Sequence, residues 1–283
     1  MASWVLHLLG DEQISRMGRG PLSLPDIWWP VLGSLLAAPG RSLSRGAMAG
    51  RLWPDKDEDA ARHCLATALW RIRSRLPSGQ RLLRVDGDSV RLALGRFDFV
   101  DVLLLDRRAR VALREPQRLQ LGRERRRLAR ALGLYRGAYL QEREQEPIAF
   151  ERERLRTLYL DALFLLAEAE RAAGNWQAAR AAAQSLCAVE PLREDAQRLL
   201  MTAHVRCGSR ALALSQYKKL EQLLASELDI APMAETRTLA ARIGAGEAAA
   251  EAPEASSDPA RESMLRVRRR LESSIRIIDA VLG

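Results

Sequence analysis

The stretch AARHCLATALWRIRSRL, residues 60–76, is followed after Pro77-Ser-Gly-Gln80 by RLLRVDGDSVRLAL, residues 81–94. At about 100° per residue, Ala61, Leu65, Leu69, Ile72 and Leu76 fall in one stripe, with Ala68 at its margin. This predicts an amphipathic helix over about Ala60–Leu76 with that stripe as its core face. The opposite face carries His63, Ala66, Thr67, Trp70, Arg71 and Ser74, and Arg62, Arg73 and Arg75 lie on the flanks. Pro77 and Gly79 end the helix. Beyond them two strand-like runs, Arg81–Val85 and Ser89–Ala93, flank Asp86-Gly87-Asp88, a short-hairpin signal.

Upstream, Asp57 or Asp59 is placed to N-cap this helix, and the acids of the loop Asp55-Lys-Asp-Glu-Asp59 suit its positive end. A helical pattern over Ile27–Ala38 holds Pro30 in its first turn and stops at Pro39-Gly40. Ser42 or Ser44 caps a second short helix that runs to about Trp53 and ends at Pro54. The apolar run Trp4–Leu9, which ends at Gly10, and the segment Glu12–Arg16 predict short strands. Strands, three helices and a hairpin in that order are the plan of a winged helix-turn-helix. The third helix would enter the major groove of DNA and the hairpin would be the wing. Between Ala60 and Leu94 stand seven arginines and two acids, an excess of five positive charges. An isolated basic helix is more often a solvated face. Two helices before it and a hairpin behind it turn the reading toward phosphate.

Downstream the chain is almost pure helix. Val100–Leu113 and Arg118–Leu134 predict two amphipathic helices, Tyr135–Leu140 a break, and Glu146–Ala173 a long helix. Four more are expected at about 175–189, 192–207, 209–226 and 232–243. Gly174 and Gly208 are 34 residues apart, the tetratricopeptide period, and Ala178, Ala182, Ala211 and Leu214 are the expected helix contacts. Residues 245–260 form a linker with four acids, no base and no large apolar residue. In the last segment, Met264, Val267, Leu271, Ile275, Ile278 and Leu282 make one helical stripe, with Arg266, Arg268, Arg269, Arg270 and Arg276 on the other side. The expected fold is mainly α: a winged helix-turn-helix over 1–96, an all-α tetratricopeptide-like domain over 97–244, a linker over 245–262 and an amphipathic helix over 263–283.

Composition narrows the function. The 283 residues carry 45 Lys+Arg against 36 Asp+Glu, a formal net charge of +9, which favours an anionic partner. Aromatic residues, at 5%, are too few for a single-strand stacking platform. Three scattered cysteines, Cys64, Cys187 and Cys207, fit a reducing compartment, and the expected location is the cytoplasm, on the nucleoid. No signal peptide is visible, and the longest apolar stretch, Ile27–Ala38, is well short of the roughly 20 residues that span a bilayer, so no membrane association is expected. There is no phosphate loop, dinucleotide fingerprint or nucleophile elbow, and His7, His63 and His204 lack zinc spacing. Neither an enzyme nor a cofactor is expected.

Together the two halves resemble bacterial transcriptional activators of the antibiotic-regulatory-protein layout. These join a response-regulator-type winged helix to a tetratricopeptide-like bacterial transcriptional activator domain. The matching residues in the first half are Ala38-Pro-Gly-Arg-Ser-Leu-Ser-Arg45, Leu52-Trp53, Ala61-Arg62 and Leu69-Trp-Arg-Ile-Arg-Ser-Arg-Leu76. In the second half they are Leu134-Tyr-Arg-Gly137, Glu151-Arg-Glu-Arg-Leu155, Pro191-Leu-Arg-Glu194 with Leu200-Met201, and Gly208–Tyr217 continuing into Leu224-Ala-Ser-Glu-Leu-Asp-Ile-Ala-Pro232. The resemblance covers about residues 3–243. Neither a receiver domain nor a nucleotide-hydrolysing module is expected, so the resemblance implies neither phosphorylation nor ATP.

The expected function is a sequence-specific, double-stranded DNA-binding transcription regulator that activates. Arg71 and Thr67, with His63, are the candidates for base edges. Trp70 shares their face; it cannot make a bidentate hydrogen bond, but it can pack on sugar or a thymine methyl. Arg62, Arg73, Ser74, Arg84 and Arg91 are the candidates for phosphate, which positions without reading sequence. The resemblance further implies that the loop before the third helix, Asp55, Lys56, Asp57 and Glu58, touches RNA polymerase. Self-association, as a homodimer or otherwise, is expected through the helical domain or the C-terminal helix. The alternative is a tetratricopeptide-type adaptor whose winged domain binds protein and not DNA.

Overall fold

A computed structural model describes residues 3–76 and 82–247. The expected linker beyond residue 247, the C-terminal helix and Arg81 lie outside the described residues. The chain divides into two compact units. The first is 1–107 together with 133–158, and the second is 108–132 together with 159–283.

In the first unit, β1 (Trp4–His7) pairs antiparallel with β2 (Gln13–Arg16), from Trp4↔Arg16 to His7↔Gln13. Three helices follow: α1 (Trp28–Ala37), α2 (Arg45–Leu52) and α3 (Glu58–Arg75). A second sheet has the order β3-β5-β4, from β3 (Ser42–Ser44), β4 (Leu83–Asp86) and β5 (Ser89–Leu92), all antiparallel. The two-residue loop of the hairpin is Gly87-Asp88. Gly87 has a φ of +57°, the positive value a type II′ turn needs at its first central residue. Trp28, Leu32, Leu35, Met48, Leu65, Ile72, Leu82 and Val90 fill the core.

The chain then returns to its start. β6 (Phe99–Val100) lies parallel to β1, through Val5↔Phe99 and Leu6↔Val100. Directly after it, the buried Asp101 carboxylate accepts the backbone N–H groups of Leu8 at 2.8 Å, Leu9 at 3.1 Å and Val102 at 2.7 Å. Burial pushes this carboxyl above the usual carboxylate range, against the opposing pull of those three donors and of the nearby His7. Residues 133–158 add a further layer. Leu140 N–H donates to the Leu8 carbonyl at 3.0 Å, and Gly10 N–H to that of Ala138 at 3.2 Å. Arg143 reaches Glu12 and Asp26, each at 2.6 Å. A Cβ on Gly137 would stand 2.9 Å from the Gly10 Cα, so the two segments approach closely only because both residues are glycine.

Helix α4 (Asp101–Arg114) leads toward the second unit. The expected helix over Arg118–Leu134 is shorter: a 3-10 turn, Pro116–Gln120, precedes α5 (Gly122–Leu132). Pro116 starts that turn. The Arg125 guanidinium then holds the Leu119 and Gln120 carbonyls, at 2.8 and 3.1 Å, out of an α-helical ladder. The same side chain pairs with buried Glu170 at 2.9 Å. The remaining helices are α6 (Glu146–Ala172), α7 (Trp176–Val189), α8 (Glu194–Arg206), α9 (Arg210–Leu228) and α10 (Ala234–Ala245).

The 34-residue period is structural. Gly174 and Gly208 have φ of +74° and +78° and make the same pair of bonds. Their N–H groups reach the Arg171 and Val205 carbonyls at 2.9 Å, and the next N–H groups reach those of Glu170 and His204 at 2.8 Å. This is the Schellman cap, repeated. Buried residues repeat with it: Ala162 and Ala196, Leu166 and Leu200, Ala179 and Ala213, Leu186 and Leu220. Of the expected contacts, Ala182 is buried and Leu214 half-buried, but Ala178 and Ala211 are exposed. The contacts are Ala179 and Ala213, because the true helix phase places the position after Ala178, and two after Ala211, against the neighbouring helix. Glu194 accepts the Met233 N–H at 2.9 Å and the Thr236 hydroxyl at 2.6 Å, which fixes the start of α10.

Candidate nucleic-acid interface

The helix-turn-helix pair is set by two side-chain caps. The Ser44 hydroxyl accepts the Ala47 N–H at 3.1 Å and starts α2, and the Asp57 carboxylate accepts the Ala60 N–H at 2.8 Å and starts α3. Glu58 and Asp59 follow in the first turn, where negative charge is favoured. Ala61, Leu65, Ala68, Leu69 and Ile72 are buried, so the apolar stripe read from the sequence orients the helix. Its outer face is thereby left to solvent.

On that face His63, Ala66, Trp70, Arg71 and Ser74 are exposed and Thr67 is half-buried. Trp70 is 70% exposed, the only large apolar side chain of α3 in that state. The Ser74 hydroxyl donates to the Arg71 carbonyl at 2.9 Å, so its own donor is engaged within the helix and its lone pairs remain. Arg62 and Arg73 flank the face in the open. Arg62 pairs with Glu58 at 2.6 Å across one turn, an exposed pair of small energetic weight.

The wing brings two candidates together that the sequence held seven residues apart. Arg84 and Arg91 are direct cross-strand partners, both exposed, while Leu83, Val90 and Leu92 point into the core. Neither has a carboxylate partner among the described residues. Like charges directly opposite one another weaken a strand pair, so the fold gains nothing from this arrangement. An anion lying across it would. Ser42 continues the same line on β3, and its hydroxyl meets that of Ser89 at 2.9 Å. The Arg45 N–H donates to the Asp88 carbonyl at 2.7 Å and ties the start of α2 to the wing tip. Sequence patterns do not carry these last two ties: a three-residue strand has no periodicity, and Ser42 beside Ser44 reads as a helix cap.

In the loop Asp55–Glu58 all four side chains are exposed. Asp57 is committed to the cap and Glu58 to Arg62. Among the described residues, no group of three or more His, Cys, Asp or Glu could hold a metal ion, and no helix is long and apolar enough to cross a membrane.

The family described as the bacterial transcriptional activator domain matches residues 100–244, more than half of the chain. The chain belongs to the bacterial transcriptional activator domain family. Regulatory protein AfsR of Streptomyces coelicolor is 30% identical over 214 residues, which cover 75% of this chain and 21% of that protein. AfsR of Streptomyces griseus is 28% identical over 213 residues, 75% of this chain and 22% of that protein. The chain therefore spans about a fifth of the length of these curated relatives. The solved structure of Mycobacterium tuberculosis EmbR in complex with a low affinity phosphopeptide matches with a TM-score of 0.63 at 21% identity, over 98% of this chain and 71% of that one. At that identity the likeness concerns fold: a winged helix followed by helical repeats. The chain has the layout of the antibiotic-regulatory-protein type. Its activator-domain match begins at the last residue of β6 and includes 133–158, so this family unit and the compact units are different divisions of the chain.

Proposed function

We propose that this regulator binds double-stranded DNA sequence-specifically and activates transcription, acting in the cytoplasm on the nucleoid. The observation that carries the reading is the Arg84–Arg91 pair on the wing beside a helix whose outer face is basic and polar. Arg71, Thr67 and His63 read base edges from α3, with Trp70 packed on sugar or a thymine methyl. Arg62, Arg73, Ser74, Arg84 and Arg91 hold phosphates and fix the register. Selection of bound fragments from random duplex DNA tests this, followed by titrations in salt. Arg84→Ala weakens all duplexes about equally, whereas Arg71→Ala erodes the preference for the selected sequence by roughly 1–3 kcal/mol. An empty selection with no salt-dependent binding overturns the proposal.

RNA polymerase contact through the loop before α3 belongs to the same proposal. Since Asp57 and Glu58 have structural partners, the informative change is Asp55→Lys. Operator affinity is retained and transcription falls; unchanged transcription removes the loop from the activating role. Self-association through the helical unit or the C-terminal segment completes it, with light scattering on the full chain as its measure. A second reading, a protein-docking adaptor, is favoured by one observation, the exposure of Trp70. It requires that Trp70→Ala abolish partner binding in a chain that shows no affinity for duplex DNA.

A further inference from the structure

The 30 residues from Arg107 to Arg136 hold eleven arginines and two glutamates, an excess of nine that equals the formal net charge of the whole chain. The rest of the sequence is balanced. The structure sorts these arginines by face. On α4, Ala109 and Ala112 are buried and Arg110 and Arg114 lie opposite them, exposed. On α5, Arg125, Leu128, Ala131 and Leu132 are buried, and Arg123, Arg126, Arg127 and Arg130 form the outward stripe. A hollow lined by Arg108, Arg118, Arg127 and Glu124, over Val111 and Leu128, brings basic side chains of both helices and of the turn between them together around a single acid.

The fold does not need this concentration of charge. The two acids are already engaged, Glu124 with Arg127 at 2.6 Å and Glu115 with Arg118 at 3.3 Å. Arg114, Arg126 and Arg130 have no carboxylate partner among the described residues. Arg126 and Arg130 are spaced i, i+4 with no carboxylate on either among the described residues, so this pair works against the helix that carries it. A polyanion outside the fold removes that repulsion. Its kind follows from what the patch lacks. Protein interfaces have an apolar, charge-depleted centre with charge at the rim. Here charge occupies the centre, and Leu121 is the only large exposed hydrophobic residue between the start of the 3-10 turn and the end of α5. Every cation is arginine, whose planar fork matches two phosphate oxygens.

We propose that the arginine face of α4 and α5 is a second DNA contact, which grips the phosphate backbone without reading sequence. It rests on the reading that the chain binds duplex DNA through its winged helix. The test uses the full chain carrying Arg114→Gln, Arg126→Gln and Arg130→Gln together, none of which breaks an ion pair. Each lost phosphate contact lowers the slope of log affinity against log salt by about 0.9, so the slope falls by close to three while sequence preference is kept. Lengthening the selected duplex by about 10 base pairs on either side, one helical turn, strengthens binding by the parent chain but not by the variant. Lysine at the same three positions restores the slope, because phosphate needs the charge. Should the triple variant fail to fold, Arg126→Gln alone carries the test, with a slope change of about 0.9. An unchanged slope and length dependence, in a protein whose Arg84→Ala variant still weakens binding, overturns this proposal and leaves the winged-helix reading standing; the face then serves an acidic protein. Absence of duplex binding by the parent chain overturns both.

Discussion

Replacing Gly33 with alanine tests whether residues 133–158 are part of the winged-helix core or a covering laid over it. Gly33 lies in α1, and a Cβ built there would stand 2.8 Å from Leu140 Cδ1 and 3.0 Å from Ile148 Cδ1. Leu140 and Ile148 are themselves 0% and 1% exposed, so neither tip has free space to move into. Overpacking of that kind costs about 1–3 kcal/mol. Leu140→Ala removes the clashing atom but leaves a cavity, at about 2–5 kcal/mol. The double variant suffers the cavity without the clash, because the new methyl fills part of the space that Leu140 vacated. Its destabilisation is therefore smaller than the sum of the two single values by about 1 kcal/mol or more. Five of the six tryptophans, Trp4, Trp28, Trp29, Trp53 and Trp70, belong to the first unit, so urea unfolding followed by tryptophan fluorescence reports on it. Additivity within about 0.5 kcal/mol would mean that the three side chains do not share one packed site, and the assignment of 133–158 to this core would fall.

Three further outcomes follow from single side chains. Asp57→Ala removes the cap of α3 and lowers stability by about 1 kcal/mol in the same fluorescence assay, while Asp59→Ala has a smaller effect because that carboxylate caps nothing. Burial pushes the Cys187 thiol up to about 12, so at pH 8 a disulfide reagent labels the half-buried Cys64 and Cys207 first and Cys187 only on unfolding; rapid labelling of three thiols in the native chain contradicts this. Burial and the nearby Arg180 lower the His204 pKa below its ordinary value of about 6.5. The unfolded chain then binds the proton more readily. The contribution of His204 is therefore present above about pH 6.5 and is lost as the pH falls toward the folded value, and helical circular dichroism melts of His204→Gln should show a flatter profile from pH 7 to 5.

How much of this was legible in the sequence depended on whether the signal was local. The stripe Ala61, Leu65, Leu69, Ile72 and Leu76 was readable because one helical period repeats within one element, and all five residues are buried. The hairpin was readable because Gly87 supplies a backbone conformation that few other residues adopt. The 34-residue spacing of Gly174 and Gly208 was readable for the same reason, although glycines mark the turn and not the helix phase, which is why the contact alanines were misplaced. What stayed hidden is non-local and carried by single residues. The β1–β6 pairing joins residues 94 positions apart through a two-residue strand, and no period exists in two residues. Asp101, the buried acceptor that anchors the chain start, is a single residue with no pattern around it to mark it.

The candidate interface divides in the same way. That α3 presents His63, Trp70 and Arg71 outward follows from its core stripe alone. That Arg84 faces Arg91 needs the register of the hairpin, which follows from Gly87-Asp88 once the loop length is known. The arginine face of α4 and α5 was visible as composition but carried no meaning until burial separated Arg125, which is structural, from Arg114, Arg126 and Arg130, which are not. An arginine that stabilises the fold has carboxylates or carbonyls around it, as Arg125 and Arg143 do. Arg84 and Arg91 on the wing, and Arg114 and Arg126 on this face, have no such partner among the described residues and are held in place against the repulsion of neighbouring arginines. That repulsion is the physical reason for expecting their counter-ions to come from another molecule.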